Sequence, residues 1–400
     1  MKHTFCPFQC IVPEHMVRHL IEKGDARTRQ WLLNLLTLSE RLRGRREILS
    51  ALPLAVAPAA AEGKHRTIYD AKHSSNEEDL PGHLIRDEGD SEAGDPAVNE
   101  AYDGLGATYD LYKEVFDRNS IDDKGMRLIA SVHFSEEFDN AFWNGHQMVF
   151  GDGDGEIFVG FTKAIDVIGH ELTHGVTQFV NSLEYHDQPG ALNESNSDVF
   201  GSLVKQYALK QSAADADWLI GEGILAPGIK GVALRSMKQP GTAYDDPKLG
   251  KDPQPAHMRN YVHTSSDNGG VHINSGIPNH AFYLVAIAVG GNAWDHAGHI
   301  WYLGMQRLQP GASFQDAANA TVQAAGELYG VGGAEQTAVQ DAWAQVGIRV
   351  ARGAGHGRRA AMIGSEPLGG DFDGKFDKLV DEVKDLRKTV EALGKRIEKK

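Results

Sequence analysis

The stretch Asp166-Val-Ile-Gly-His170-Glu171-Leu-Thr-His174-Gly175 decides how this 400-residue chain is read. Four residues is close to one helical turn, so on a helix His170 and His174 project from one face and can grip a single metal ion. A pair of imidazoles suits zinc, and Glu171 between them sits within reach of a water at that ion. The arrangement implies a hydrolytic site. Ile165, Ile168, Leu172, Val176 and Phe179 recur at helical spacing and predict a helix from about 165 to 180 with one buried side.

A metal held by two histidines needs a third ligand. After a loop closed by Pro189-Gly190, a second helix is predicted through Leu192-Asn-Glu194-Ser-Asn-Ser-Asp198, in which Glu194 and Asp198 share a face. Glu194 is the third ligand expected, leaving the fourth position to water. The alternative, a histidine six residues beyond His174, fails because that position is Val180. Asp198 and Asn193 can accept the free ring N–H groups of the two histidines and so fix their tautomers. Further on, Asp267-Asn-Gly-Gly-Val-His272 forms a polar, glycine-containing turn before a helix. There Asp267 can orient and charge His272 as a donor to an oxyanion.

Composition sets the frame around this site. A chain with 41% hydrophobic and 24% charged residues has a globular balance and length enough for two cores. No run approaches the ~20 apolar residues of a membrane span, and a formal charge of −15 argues against nucleic acid as a partner. No apolar signal core follows Met1-Lys2, so a cytoplasmic protein, or one exported by another route, is expected. Strand-like stretches lie between 66 and 150, and helical patterns dominate 201 to 350. The fold class expected is α+β, with a strand-rich lobe (66–180, ending in the metal helix) facing a helical lobe (181–350) across a cleft.

Residues 1–50 stand apart. They carry nine Lys/Arg against five Asp/Glu, opposite in sign to the whole chain, so they can dock on an acidic body. Helical periodicity is readable from Met16 to Ile21 and from Trp31 to Leu42. The segment reads as a helical extension or as a propeptide that masks the site and is cut within the Ala/Pro-rich strip 51–65. A thiolate of Cys10 or Cys6 can fill the open zinc position in the latent form.

HELTHG, the Asn193-to-Asp198 run, Asn140-Ala-Phe-Trp-Asn-Gly145, Ala233-Leu-Arg235-Ser-Met and Asp267-Asn-Gly-Gly-Val-His-Ile-Asn-Ser-Gly276 together resemble the thermolysin-type metallopeptidases, over about Arg66 to Arg349. The short N-terminal segment with Cys10-Ile-Val-Pro13 resembles the protealysin branch, although Glu14 stands where that branch has a second proline. The resemblance implies a two-lobed zinc endopeptidase acting on proteins or peptides and inhibited by its own propeptide. His170, His174 and Glu194 would hold zinc, and Glu171 would take the proton from the attacking water. Tyr185 and His272 would stabilise the oxyanion, with Asp267 behind His272. Asn140 and the backbone of Ala141 would hold the substrate main chain, and Arg235 a substrate carbonyl. Phe158, Phe161, Val167 and Leu234 would line an apolar pocket for the residue after the cut, favouring bulky hydrophobic side chains. Of the family's calcium-site acids Asp166, Asp217 and Glu222 persist, but Lys205 and Leu219 replace two, so the paired calcium site is expected to be absent.

Beyond Arg349 the resemblance stops. Residues 351–374 read as a glycine-rich linker. Phe376, Leu379, Val383, Leu386, Val390, Leu393 and Ile397 then repeat at heptad spacing, predicting a two-stranded coil over 375–400 and a homo-oligomer through it.

Overall fold

Arg66-Thr-Ile-Tyr-Asp70 buries Thr67 and Ile68 and forms the first strand of the body, β1; His83–Asp87 forms β2. The computed structural model describes residues 11–23 and 63–350. Cys6, Cys10, the 51–62 part of the maturation strip and the heptad segment lie outside the described residues. Ahead of β1, Glu14–Lys23 forms a helix, α1, that buries Met16, Val17 and Leu20.

Asp95 accepts the Ala97 N–H and caps α2, Pro96–Asp110. Pro96 at the first helical position fits, because the N–H it lacks would have no partner inside the helix. The chain continues past Asp110 as a π turn, Leu111–Val115. Three strands follow: β3, Leu128–Val132; β4, Ala141–Trp143; and β5, Met148–Phe150. They complete a five-stranded sheet in the order β2-β1-β3-β5-β4. The central pairs β1/β3 and β3/β5 are parallel, and the outer pairs β1/β2 and β4/β5 are antiparallel. Ala141 to Trp143 thus lie on the edge strand.

The metal-motif helix α3 spans Ile165–Val180. Every residue from Asp166 to Thr177 is buried, so the expected single buried side is corrected: α3 is enclosed on all sides. Its neighbour α4 runs from Asp187 to Leu209, starting before the expected loop at Pro189-Gly190. Proline is tolerated there because the first helical turn has no intrahelical use for its missing N–H. At Gly201 a Cβ would come within 2.5 Å of the Asp166 carbonyl oxygen and 3.0 Å of the His170 nitrogen. Only glycine lets α4 approach α3 closely enough for their side chains to converge.

Two short strands, β6 (Leu219–Ile220) and β7 (Arg235–Ser236), pair antiparallel. The remainder is helical: α5, Asp267–Asn274; α6, Gly276–Val289; α7, His296–Met305; α8, Phe314–Tyr329; and α9, Ala334–Gln345. Ser313 and Asp316 form a reciprocal capping box at the start of α8, a signature of a firmly placed helix start. Among the described residues no helix is long and apolar enough to cross a membrane.

Candidate active site

His170 and His174 leave α3 on the side facing α4, where Glu194 leaves α4. Their ligating atoms lie within 4.8 Å of one another, and all three side chains are buried. Asp198 Oδ1 lies 2.8 Å from His170 Nδ1, and Asn193 Oδ1 lies 2.9 Å from His174 Nδ1. An oxygen acceptor on each Nδ1 makes that nitrogen the protonated one, so each Nε2 presents its lone pair. The two Nε2 atoms face each other at 3.0 Å, and Glu194 oxygens lie 3.5 Å from each. Two lone pairs and a carboxylate in contact repel unless a proton or a metal ion lies between them. A tetrahedral zinc with arms of ~2.1 Å has edges of roughly 3.4 Å; the two imidazole–carboxylate separations are close to that, and the imidazole–imidazole one is shorter. The trio therefore fits zinc.

Asp198 is the hub behind this trio. Besides His170, it receives two N–H groups of Arg235 on β7, at 2.8 Å each, and Asn279 Nδ2 on α6 at 2.8 Å. Burial alone would raise the Asp198 carboxyl, but the Arg235 guanidinium and His170 overcome it and hold the group below the ordinary carboxylate range. A fixed anion on His170 Nδ1 sets that ring's tautomer and orientation as a ligand. Sequence reading found Asp198 and Asn193 but missed Asn279 and Ser197, whose Oγ lies 2.9 Å from His174 Nδ1. Ser197 stands inside the quoted helix run, whereas Asn279 carries no local signal.

Glu171 is buried on the cleft side of α3, with the Trp143 N–H of the edge strand 3.2 Å from its Oε2. Opposite, Tyr185 donates its hydroxyl to Glu194 and lies 3.3 Å from His272 Nε2. His272 sits on the single helical turn that follows Asp267, Asn268, Gly269 and Gly270, all at positive φ. This tight left-handed run folds Asp267 back, so that its Oδ1 lies 2.6 Å from His272 Nδ1 and its Oδ2 accepts the His272 N–H. Burial lowers His272, but Glu194 and Asp267 outweigh it and raise its pKa to about 9. A dication on Glu194 would remove the larger of these two supports.

The residues expected to hold a substrate's main chain hold the chain's own N-terminal segment. Ile11 donates its N–H to the Ala141 carbonyl at 3.4 Å, and Val12 its N–H to Asn140 Oδ1 at 3.2 Å. Arg235 Nη1 donates to the Ile11 carbonyl at 3.1 Å. Phe158, Phe161, Val167 and Leu234 are buried in one continuous apolar cluster with Ile11, and the Phe158 and Phe161 rings lie 5.3 Å apart. Glu14 continues the contact by accepting the Asp267 N–H at 3.0 Å. Sequence reading flagged Glu14 only as a departure.

Away from the cleft, Lys205 Nζ reaches Asp217 at 2.6 Å, Glu222 at 3.3 Å and Asp166 at 3.4 Å. An ammonium thus sits among the surviving acids, while Leu219 contributes its backbone N–H to Asp217.

A helix-borne His-Glu-x-x-His pair completed by a glutamate from the next helix, between a mixed sheet and a helical lobe, defines a metalloendopeptidase. The chain belongs to the thermolysin metallopeptidase family, a zinc-dependent one: the catalytic domain of that family matches residues 59–178 and its alpha-helical domain matches residues 181–348. The chain is 57% identical over 290 residues to Protease PrtS of Photorhabdus sp. (strain Az29), covering 72% of this chain and 77% of that one. It is 49% identical over 350 residues to the Extracellular metalloprotease of Pectobacterium carotovorum subsp. carotovorum, covering 86% and 97%. Among solved structures it is similar to the Precursor of Protealysin, Metalloproteinase from Serratia proteamaculans, with a TM-score of 0.77, 51% identity and coverage of 85% of this chain and 99% of that one. The fold is the thermolysin-like one, of the protealysin branch.

Proposed function

We propose that this chain is the self-processing precursor of a zinc endopeptidase that cuts before bulky apolar residues, and that residues 11–23 belong to its inhibitory propeptide. The observation that carries the reading is the convergence of His170, His174 and Glu194, three buried ligating groups within 4.8 Å of one another. Zinc held by His170, His174 and Glu194 would supply Lewis acidity to a scissile carbonyl and acidify a nearby water. Glu171 takes the proton of the attacking water and passes it to the leaving amine, with the Trp143 N–H keeping the carboxylate aimed. Tyr185 and His272 donate to the oxygen as its negative charge develops. Asn140, Ala141 and Arg235 align the substrate backbone, and Phe158, Phe161, Val167 and Leu234 receive the side chain after the cut.

Ile11 and Val12 take those same backbone contacts, which supports inhibition by occupancy. The division into an N-terminal propeptide, two catalytic lobes and a tail follows the same reading, as does pairing of two chains through 375–400. Lys205 places a positive charge among acids that a calcium pair would otherwise bridge, which supports a fold independent of that pair. The name Extracellular metalloprotease of the Pectobacterium relative supports export over a cytoplasmic location. The test is hydrolysis of an internal bond in a peptide blocked at its N-terminus. Cleavage that stops on chelation and returns with zinc is expected; removal of single residues from a free N-terminus, with blocked peptides untouched, would point to an aminopeptidase instead.

A further inference from the structure

The segment across the cleft brings an ionisable group of its own to the contact. His15, in the first turn of α1, places Nε2 3.0 Å from the Tyr244 hydroxyl, while its Nδ1 is sealed from solvent without a hydrogen-bond partner. The groups facing the ring come from several elements. Arg235 on β7 is bonded to Asp198 and the Ile11 carbonyl but keeps its positive charge. From the turn into α5 come His272 and Asp267, whose carboxylate is already engaged by the His272 ring and N–H. Behind Tyr244, Asp252 is committed to the N–H groups of Gly241 and Ala243. On α1 itself, Glu14 accepts the Asp267 N–H and pairs with Arg18 at 2.5 Å.

A neutral His15 is the better tolerated form here: one nitrogen meets a hydroxyl, and the other buries only a lone pair, which costs less than burying the unpaired N–H of a cation. A protonated ring would press a second N–H against a wall without an acceptor and add a cation beside Arg235 and His272. Burial, opposed by Asp267 and assisted by His272 and Arg235, lowers the His15 pKa to about 4.

We propose that residues 11–23 form an acid-released latch, in which neutral His15 seats the segment across the cleft and protonation of its imidazole frees it. The proposal rests on the reading that this segment blocks substrate. The released imidazole takes up a proton near its ordinary value of ~6.5, far more readily than the docked one. Docking is therefore undiminished above about pH 6.5 and weakens roughly tenfold per pH unit on the way down to about 4. The precursor stays closed in neutral surroundings and opens where they turn acidic.

The test uses the full-length, zinc-loaded chain carrying Glu171→Gln, so that it cannot process itself. Binding of a fluorescent peptide hydroxamate is followed by polarisation from pH 4.5 to 8 and compared with the same chain carrying His15→Gln as well. Glutamine stays neutral and still hydrogen-bonds Tyr244, and any pH response of the body or probe is common to both proteins. The affinity ratio between the two is expected to shift roughly 30-fold between pH 7.5 and pH 5 in favour of the chain that keeps His15. Parallel profiles across the range would overturn the latch. Adding Ile11→Lys instead separates the underlying reading. If the segment blocks the cleft, this variant binds the probe more tightly at pH 7.5; unchanged binding there would sink the blockage and the latch together.

Discussion

His170 Nε2 and His174 Nε2 lie 3.0 Å apart, each on a ring whose other nitrogen meets an oxygen acceptor. This contact is relieved by a proton shared between the rings or by a metal ion held between them, and the Glu194 carboxylate beside it favours the metal. Chelation is therefore expected to lower the melting temperature as well as abolish activity. Zinc at 1,000 times its dissociation constant contributes about 4 kcal/mol, so a loss of several degrees by calorimetry, reversed by one equivalent of zinc, is the outcome expected.

Asn279 and Asp198 extend the same site. Asn279→Ala deletes one of the N–H groups held on the Asp198 carboxylate without touching a ligand. Zinc affinity, read by competition with a chromophoric chelator, is expected to fall about 10-fold or more. Arg235→Met leaves Asp198 buried and short of its cation, and a cost of about 3 to 5 kcal/mol in denaturant melts is expected.

His133 gives the fold its own pH signature. Its ring bridges Asp152, 2.9 Å away, and Asp95, 2.7 Å away at the cap of α2. The Asp152 hydrogen bond, opposed by burial and helped by Asp95, raises the His133 pKa to about 9. A raised histidine stabilises fully below its unfolded value of about 6.5 and loses that contribution as pH rises through the folded value. His133→Asn, which tolerates the left-handed backbone at this position (φ 56°), should melt lower than the parent at pH 6 by an amount worth about 1 kcal/mol, since solvent screens these half-exposed pairs. By pH 10 the difference should have largely closed.

Lys205 makes a prediction about calcium. With an ammonium 2.6 Å from Asp217, added calcium is expected to leave the melting temperature unchanged within about a degree, whereas a well-occupied site would add several. Lys205→Glu is expected to create a calcium-dependent melting temperature, and Lys205→Met to destabilise at any calcium level by stranding the acids.

The sequence carries the parts of the site that lie at helical spacing. His170 and His174, then Glu194 and Asp198, are pairs four residues apart, and α3 was bounded at Ile165 and Val180 by its periodicity alone. Lys205 is legible only against the family resemblance, in which an acid stands at its position. What escaped is long-range. The Trp143 N–H on Glu171 depends on how the edge strand lies over α3, and Asn279 reaches Asp198 across the packing of α4 and α6. The start of α4 was misplaced because a Pro-Gly pair signals a loop unless it falls in a first helical turn. His15 carries no local signal, lying just ahead of the Met16-to-Ile21 periodicity, and only its contact with Tyr244 distinguishes it.

The most direct test of the central assignment is a paired measurement on Glu171→Gln in the full-length chain: metal content by elemental analysis, and cleavage of a blocked peptide. One zinc per chain, together with loss of peptidase activity and of self-processing, is the result expected. Retained cleavage, or zinc lost along with activity, would contradict the assignment of His170, His174 and Glu194 to the metal and Glu171 to the proton.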